Sequence, residues 1–324
     1  MPRLGVIGTF VWDVIHGRDR LTAPVQEWGG ITYSLAGLDA ALPPDWEIVP
    51  LMKVGRDLAS RANEFIRTLK RIASDAALIE VPYANNRVEL HYVSDERRTE
   101  TLTGGVPGWS WVGLKPLIDI CNLDALYVNF LSGWELDLET SQVLRSYFKG
   151  PIYCDFHMKA TVVAPSGLRV LQPIPNVGEW CECFDLLQVN EDEMSMMAPD
   201  PMALAATALA RGVRCLAVTL GKRGAVYFAA PEFDAIGDLG HDRAFGIEMG
   251  PIRTALVPAT DAADTSSDPT GCGDVWGATY FSRLLAGDTL LSAITAAHRA
   301  AGRNLHHRGA TGLAHYLRGN LSLT

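Results

Sequence analysis

Six short apolar segments, separated by stretches with helical periodicity, constrain the fold of this chain more than any other feature. They are Leu4–Gly8, Ile48–Val54, Ala125–Leu131, Ile152–Phe156, Leu186–Val189 and Cys215–Leu220. Their apolar residues are continuous rather than alternating, as in strands that are covered on both faces. Amphipathic stretches lie between them, for example at Leu58–Ile72 and Leu138–Phe148, and Ala203–Arg211 is a short Ala-rich stretch that ends at Gly212. This alternation predicts an α/β fold with a central, mostly parallel sheet flanked by helices.

Two other regions have a different pattern. At Arg87–Val93 apolar and polar residues alternate, which indicates a strand with one covered face and one face towards water or a ligand. Arg98–Thr103 is also extended in character, so we expect two antiparallel strands in a small sheet of their own. His157–Trp180 is rich in Pro and Gly and has no clear period, which predicts a long ordered loop.

The composition excludes several classes of protein. Lys and Arg number 28 against 37 Asp and Glu, a net charge of -9, which argues against binding to nucleic acid or to anionic membranes. No apolar run reaches the roughly 18 residues of a membrane span, and Met1–Gly8 resembles a first strand more than a signal peptide. The six cysteines lack the spacing of a zinc site, so we expect reduced thiols and a cytoplasmic protein.

The most informative segment is Asp268-Pro-Thr-Gly-Cys-Gly-Asp274, which a helical pattern follows as far as Gly287. Small residues allow the backbone to approach a ligand, and N–H groups at the positive end of a helix bind anions. Asp274 then lies in the first turn, beside that anion. One interpretation is a carboxylate that only favours the helix dipole. The other is a general base for a hydroxyl that attacks a phosphoryl group.

The segment resembles the signature of the ribokinase-like, or PfkB-type, carbohydrate kinases, Asp-Thr-x-Gly/Ala-x-Gly-Asp. The resemblance implies that Asp274 is the general base and that the N–H groups of Gly271, Cys272 and Gly273 stabilise the transferring phosphoryl group. It continues to His298 and Gly309-Ala310, which correspond in spacing to a nucleotide-facing residue and a turn of the family. It also implies a monovalent-cation site near Asp268 and the Arg308–Ala310 turn.

Two further stretches resemble the donor site of this family. Val218–Ala225 is similar to its nucleotide strand and turn, which implies that Thr219, Gly221 and Gly224 bind ATP. In Leu187–Glu193, the residues Asn190 and Glu193 match an Asn-x-x-Glu element that organises Mg²⁺ and its waters. An alternative is a helix start with Asn190 as N-cap, and both interpretations can hold together.

The N-terminal region resembles the acceptor site of the family. Gly8–Asp13 is similar to its first strand, which implies that Asp13 binds sugar hydroxyls. Gly29 and Gly30 resemble the substrate turn, and Ser34 occupies a position where many members have Asn. The resemblance further implies a small β lid from approximately 13–35 and 86–104.

These observations predict a single ribokinase-like kinase domain over residues 1–324. The expected activity is ATP- and Mg²⁺-dependent phosphorylation of a hydroxymethyl group on a sugar or sugar-like molecule. A nucleoside kinase of the same fold and a non-catalytic sugar-binding regulator are the alternatives. The expected partners are therefore small molecules, namely the acceptor and ATP. A second copy of the chain is a further candidate partner, whereas nucleic acid and membranes are not expected.

Overall fold

The structure is a computed structural model that describes residues 1–16, 23–92, 98–238, 251–259 and 269–319. Within these ranges the chain forms strands that we number in chain order. They are β1 Arg3–Ile7, β2 Phe10–His16, β3 Val25–Gly30, β4 Glu47–Leu51, β5 Lys53–Gly55, β6 Ile79–Val81, β7 Asn86–Tyr92, β8 Arg98–Thr103, β9 Ala125–Asn129, β10 Ile152–Asp155, β11 Thr161–Val163, β12 Arg169–Leu171, β13 Leu186–Asn190, β14 Cys215–Thr219, β15 Ala225–Ala229 and β16 Arg253–Val257.

The α-helices of the same ranges are numbered in the same way. They are α1 Ile31–Ala41, α2 Ala59–Thr68, α3 Trp111–Cys121, α4 Leu138–Tyr147, α5 Val177–Glu182, α6 Glu191–Met197, α7 Pro201–Ala210, α8 Cys272–Leu285, α9 Leu290–Asn304 and α10 Leu313–Leu317. Among these helices none combines the length and the apolar character that crossing a membrane requires.

The main sheet has eight strands in the order β16-β15-β14-β13-β10-β9-β1-β4. The six strands from β14 to β4 are parallel, and β15 and β16 extend the sheet with antiparallel pairs. The prediction of a mostly parallel central sheet is therefore confirmed. The predicted strands agree with β1, β9, β10, β13 and β14 to within two residues at each end.

Helices cover both faces of this sheet, which explains why its strands are continuously apolar. Along β9, Ala125 and Tyr127 pack into the core layer that contains α8 and α9. Leu126 and Val128 pack into the opposite layer, together with residues of α3, α4 and α7. Because successive strand residues point to opposite faces, a strand covered on both sides buries every position.

The predicted strand Ile48–Val54 is divided in the structure. It forms β4 in the main sheet and β5, which pairs with β6 in a separate two-stranded sheet. The break lies at Met52, which is completely buried. Its cause is the change of partner strand. The charged residue Lys53 directly follows the break, but a single lysine in an otherwise apolar segment does not indicate such a change.

The small sheet has the order β3-β2-β7-β8 and forms the lid over the carboxyl edge of the main sheet. β7 and β8 are antiparallel, as expected, and β2 pairs with β7 in parallel. The expected first lid segment, 13–35, extends beyond the lid at its C-terminal end, because α1 begins at Ile31 and belongs to the body. Residue Val93 of the predicted strand lies outside the described residues.

The segment His157–Trp180 is not the single irregular loop that the sequence predicts. It contains a 3₁₀ turn at His157–Ala160, the antiparallel pair β11–β12 and the start of α5. Each strand of the pair has only three residues. Strands of that length are too short to give a recognisable period.

Candidate active site

A cleft of about 320 Å³ lies between the lid and the carboxyl edge of the main sheet. Parallel strands end at the same edge, so the polar residues at the ends of β10, β13 and β14 meet the start of α8 there. Many of the residues singled out in the sequence line this cleft. They are Asp13, Gly30, Asn190, Glu193, Thr219, Gly221, Gly271, Cys272, Gly273 and Asp274.

The start of α8 presents backbone N–H groups to the cleft. Gly271 is the N-cap and has φ 75°, and a Cβ there would lie 2.2 Å from the ring of Tyr33. The Cys272 N–H donates to the Pro269 carbonyl at 3.1 Å, so it is engaged within the turn. Among the described residues, the N–H groups of Gly273 and Asp274 have no hydrogen-bond acceptor. These two groups are therefore free to bind an anion at the start of α8, whereas the N–H of Cys272, also predicted to contribute, is engaged in the turn.

Asp274 is buried beside these N–H groups and is held by a polar network. Its Oδ1 accepts a hydrogen bond from Asn129 Nδ2 at 2.7 Å and one from Ser34 Oγ at 3.4 Å. Ser34 in turn accepts from Asn129 Nδ2 at 3.1 Å and from the Tyr127 hydroxyl at 3.3 Å. Burial raises the pKa of Asp274, and the hydrogen bonds from Asn129 and Ser34 oppose that rise.

Ser34 therefore lies behind Asp274 and is not among the residues that line the cleft. The family resemblance implied instead that Ser34 contacts the substrate directly. Asn129 does not figure in the sequence analysis. Its position as the last residue of a buried strand, β9, is the signal that could have identified it.

A histidine and three carboxylates form the centre of the cleft. His157 has φ 33°, which is unusual for a residue other than glycine, and its backbone N–H donates to Asp155 Oδ1 at 3.2 Å. Its Nδ1 lies 3.6 Å from Glu193 Oε1. Burial by itself would lower the pKa of His157, but the surrounding carboxylates raise it to about 10. A protonated imidazole therefore offsets part of the negative charge of Asp155, Glu193 and Asp274.

Asn190 and Glu193 form a capping box at the start of α6. Asn190 Oδ1 accepts from the Glu193 N–H at 2.8 Å, and Glu193 Oε2 accepts from the Asn190 N–H at 2.8 Å. Both side chains also line the cleft. The helix-cap interpretation is thus observed directly, and the same residues remain available to a metal site.

The oxygen atoms of the cleft fit Mg²⁺, which prefers carboxylate and amide oxygens with retained water. Burial raises the pKa of Asp155 well above its ordinary value, an effect that His157 partly opposes. A divalent cation among Asp155, Glu193 and Asp274 would relieve this crowding of carboxylates. A second cluster, His16, Glu89 and His91, offers ligand atoms within 4.8 Å of one another, but it lies on the outer face of the lid.

Gln188 connects the centre of the cleft to the start of α8. Its Nε2 donates to Asp155 Oδ2 at 3.0 Å and to the Gly273 carbonyl at 3.1 Å, and its Oε1 accepts from the Tyr153 hydroxyl at 2.5 Å. The first turn of α8 is therefore fixed relative to β10 and β13. Gln188 is a further site residue that the sequence analysis did not identify.

Asp13 lies on the inner face of the lid and is 7% exposed. A Cβ on Gly29 would lie 1.8 Å from Asp13 Oδ2, so only glycine leaves room for the carboxylate there. Gly29 itself does not line the cleft, whereas Gly30 does. The Gly-Gly turn thus contributes one residue to the cleft and one that makes space for Asp13.

Of the residues predicted to bind the nucleotide, some line the cleft and others do not. Thr219 and Gly221 line the cleft. Gly224 does not, and a Cβ there would lie 2.1 Å from the Val257 carbonyl, so it permits a close approach of backbones. His298 is buried, with Trp276 Nε1 donating to its Nδ1 at 3.1 Å and its Nε2 bonded to the Val257 carbonyl at 3.0 Å.

Both ring nitrogens of His298 are therefore occupied within the protein, and a contact with a nucleotide would require these bonds to be exchanged. Burial also lowers the pKa of His298, which favours the neutral ring. The proposed cation site is described only in part, because Asp268 lies outside the described residues.

Comparisons with known proteins agree with this arrangement. The family model described as "pfkB family carbohydrate kinase" matches residues 154–315, which is half of the 324-residue chain. Among curated proteins, none matches the sequence.

Solved structures resemble the chain over almost its whole length. Ribokinase from Thermotoga maritima is 17% identical, with 99% of each chain covered and a TM-score of 0.66. Arabidopsis thaliana ribokinase, solved with ribose and ATP, is 16% identical, with 100% of this chain and 99% of that chain covered and a TM-score of 0.69. Burkholderia thailandensis nucleoside kinase, in complex with inosine, is 16% identical, with 96% and 94% covered and a TM-score of 0.69.

At these identities the solved structures show a shared fold, and the matched family model shows the family. The ribokinase-like α/β architecture agrees with both. The chain belongs to the pfkB family of carbohydrate kinases, which are phosphotransferases with an alcohol group as the acceptor.

Proposed function

We propose that this kinase transfers the γ-phosphoryl group of ATP to a hydroxymethyl group of a sugar or sugar-like molecule. The observation that carries the proposal is the position of Asp274. It lies at the positive end of α8, beside the N–H groups of Gly273 and Asp274, which have no acceptor in the described ranges, and in the same cleft as Asp13. A negatively charged carboxylate beside an anion site is electrostatically unfavourable. Its position is explained if it accepts the proton of the attacking hydroxyl group.

In the proposed reaction, Asp274 takes the proton of the acceptor hydroxyl as that oxygen bonds to the γ-phosphorus. The bond from the γ-phosphorus to the bridging oxygen breaks, and ADP leaves. The N–H groups of Gly273 and Asp274 stabilise the charge on the transferring group. Asn129 and Ser34 hold the carboxylate in place through the hydrogen bonds described above.

Mg²⁺, when bound, would neutralise phosphate charge, and Asn190 and Glu193 would hold it through water with Asp155 nearby. Asp13 and Gly30 orient the acceptor from the lid side of the cleft. The lid excludes water, which would otherwise compete as an acceptor. Thr219 and Gly221 bind the donor.

We also propose that residues 1–324 form one kinase domain. The chain leaves the body after β1, builds β2 and β3 of the lid, and returns at α1. The lid is completed by β7 and β8, which follow further body strands. Since the lid is assembled from two separated segments, it is not an independent unit of the chain.

A nucleoside kinase is the second candidate. Apolar residues of the cleft, Val11, Val88, Leu90 and Leu131, could cover a nucleobase as well as the apolar face of a sugar. A sugar-binding regulator without turnover is the third, and the polar network that positions Asp274 argues against it.

An assay of acceptor-dependent ADP formation across sugars, polyols and nucleosides separates these candidates. Activity with a sugar supports the proposal, and activity confined to nucleosides supports the second candidate. Tight calorimetric binding of a sugar without ADP formation would support the regulator instead.

We predict that Gly273→Ala weakens use of the donor without loss of stability. Among the described residues, a Cβ at this position meets only Gln188 Nε2, at 3.9 Å. The added methyl group would instead crowd a phosphoryl group at the start of α8, so we expect kcat/KM for ATP to fall at least about tenfold.

The melting temperature of Gly273→Ala is the necessary second measurement. Gly237→Ala is a suitable control, since a Cβ there meets none of the described atoms within 4 Å and Gly237 does not line the cleft. If Gly273→Ala melts lower but keeps wild-type kcat/KM for ATP, the glycine has only a structural role.

We predict that Asn129→Leu shifts the acidic limb of the kcat–pH profile to higher pH. The substitution keeps the site buried but removes the hydrogen bond that lowers the pKa of Asp274. A general base acts when deprotonated, so activity is present above its pKa and lost as the pH falls through it. Asn63→Ala, on the surface helix α2, serves as the control, and an unchanged limb in Asn129→Leu contradicts the assignment.

A further inference from the structure

The hairpin β11–β12 connects the body to the lid. The Leu102 N–H of β8 donates to the Gly167 carbonyl at the hairpin turn at 2.8 Å, and Thr101 and Leu168 form an antiparallel bridge. The hairpin therefore covers part of the free edge of β8. It also brings the first residue of β12, Arg169, to the wall of the cleft.

Arg169 has two of its three nitrogens fixed by the protein. Nη1 pairs with Glu100 Oε2 at 3.0 Å, and Nη2 donates to the Leu131 carbonyl at 2.7 Å. The side chain of Arg169 is 7% exposed and that of Glu100 is 13% exposed. Two anchors of this kind hold a planar guanidinium in one orientation.

The third nitrogen of Arg169 is unpaired. Nε is buried, and no hydrogen-bond partner for it occurs among the described residues. A buried donor without a partner costs free energy, and because Arg169 lines the cleft, a ligand that accepts its hydrogen bond would remove that cost.

Arg169 and Glu100 lie on the acceptor side of the cleft. Glu100 on β8 and Asp13 on β2 both project from the inner face of the lid, because Leu90 pairs with Glu100 and Val88 with Asp13. β2 and β8 are two strand spacings apart, roughly 10 Å. The two carboxylates can thus contact opposite ends of one acceptor molecule.

We propose that Arg169 and Glu100 form an acceptor subsite for a hydroxyl group distant from the one that is phosphorylated. Arg169 Nε donates to the hydroxyl oxygen, and Glu100 accepts its hydrogen. A hydroxyl group both accepts and donates, whereas a carboxylate or phosphate only accepts and would be repelled by Glu100. The acceptor is therefore a polyhydroxylated molecule that is uncharged at this end. This inference rests on the proposed kinase function.

The test compares kinetic constants of Arg169→Met, Arg169→Lys and Glu100→Gln with those of the wild type. Neutral D-ribose and D-fructose and the sugar acid D-gluconate are the acceptors offered. We expect wild-type enzyme to prefer a neutral acceptor over D-gluconate. We expect Arg169→Met and Glu100→Gln to raise the KM of that acceptor about tenfold to a hundredfold, with the KM of ATP unchanged.

Arg169→Lys keeps the charge but lacks the Nε donor, so we expect its acceptor KM to rise as well. Arg56→Met is the control, since Arg56 pairs with Glu80 on the surface, where their side chains are 71% and 53% exposed. Melting temperatures identify any variant that fails to fold. Glu100→Gln then carries the test, because it keeps the shape of the side chain but replaces one acceptor oxygen with an NH2 donor and removes the charge.

The outcomes separate a failure of the proposed subsite from a failure of the proposed kinase function. Phosphorylation of neutral acceptors with an unchanged acceptor KM in all three variants overturns the subsite alone. A preference for D-gluconate also overturns it. If no acceptor in a wider sugar and nucleoside panel is phosphorylated, the proposed function fails and the subsite fails with it.

Discussion

Asp274→Asn is expected to lower kcat by about 10²–10⁴-fold while leaving the binding of ATP and acceptor almost unchanged. Asparagine has nearly the same shape and can still hydrogen-bond within the network around Asn129 and Ser34. It cannot accept the proton of the attacking hydroxyl. The loss should therefore appear in the chemical step and not in substrate affinity, which calorimetry with a non-hydrolysable ATP analogue can measure.

Asp192→Asn is the matched control for this experiment. Asp192 also lies in the first turn of a helix, α6, but does not line the cleft. If Asp274 only favoured the helix dipole, the two variants would lose a similar small amount of stability and both would remain active. A kcat near that of the wild type in Asp274→Asn would refute the general-base assignment.

Asp13→Ala is expected to raise the acceptor KM about tenfold to a hundredfold and to leave the KM of ATP nearly unchanged. The carboxylate lies on the inner face of the lid, on the opposite side of the cleft from the start of α8. Loss of a hydrogen bond to a charged group costs roughly 1.5–3 kcal/mol, which corresponds to that range. Both constants are measured side by side on the purified variant.

Gly29→Ala provides an independent test of the same carboxylate. Its Cβ would overlap Asp13 Oδ2, so the side chain of Asp13 must move although its charge remains. We expect the acceptor KM to rise in this variant also. A lower melting temperature with unchanged acceptor KM in both variants would assign Asp13 a purely structural role.

The part of the site that could be predicted from the sequence is the part that is continuous in the chain. Gly271 to Asp274 form a helix start that is encoded by consecutive residues, and Asn190 and Glu193 form a local capping box. These patterns can be recognised without knowing how the strands are ordered. The same holds for the buried strands, because their apolar runs reflect helices on both faces.

The rest of the site depends on strand order, which a single sequence does not reveal. Asn129 is 145 residues from Asp274 in the chain, and the two meet because β9 and β10 lie near α8 at one edge of the sheet. Arg169 reaches the cleft only because a hairpin of three-residue strands docks on β8. Polar residues at the ends of buried strands, such as Asn129 and Asp155, are the signal that would have extended the prediction.

The proton-coupled ³¹P NMR spectrum of the reaction product tests the central claim most directly. Wild-type enzyme is incubated with ATP, Mg²⁺ and the acceptor that gives the highest rate of ADP formation. Transfer to a hydroxymethyl group places two protons on the carbon next to the phosphate oxygen, so we expect a phosphomonoester triplet. A doublet would place the phosphate on a secondary hydroxyl, and inorganic phosphate alone would mean hydrolysis; either result contradicts the proposed reaction.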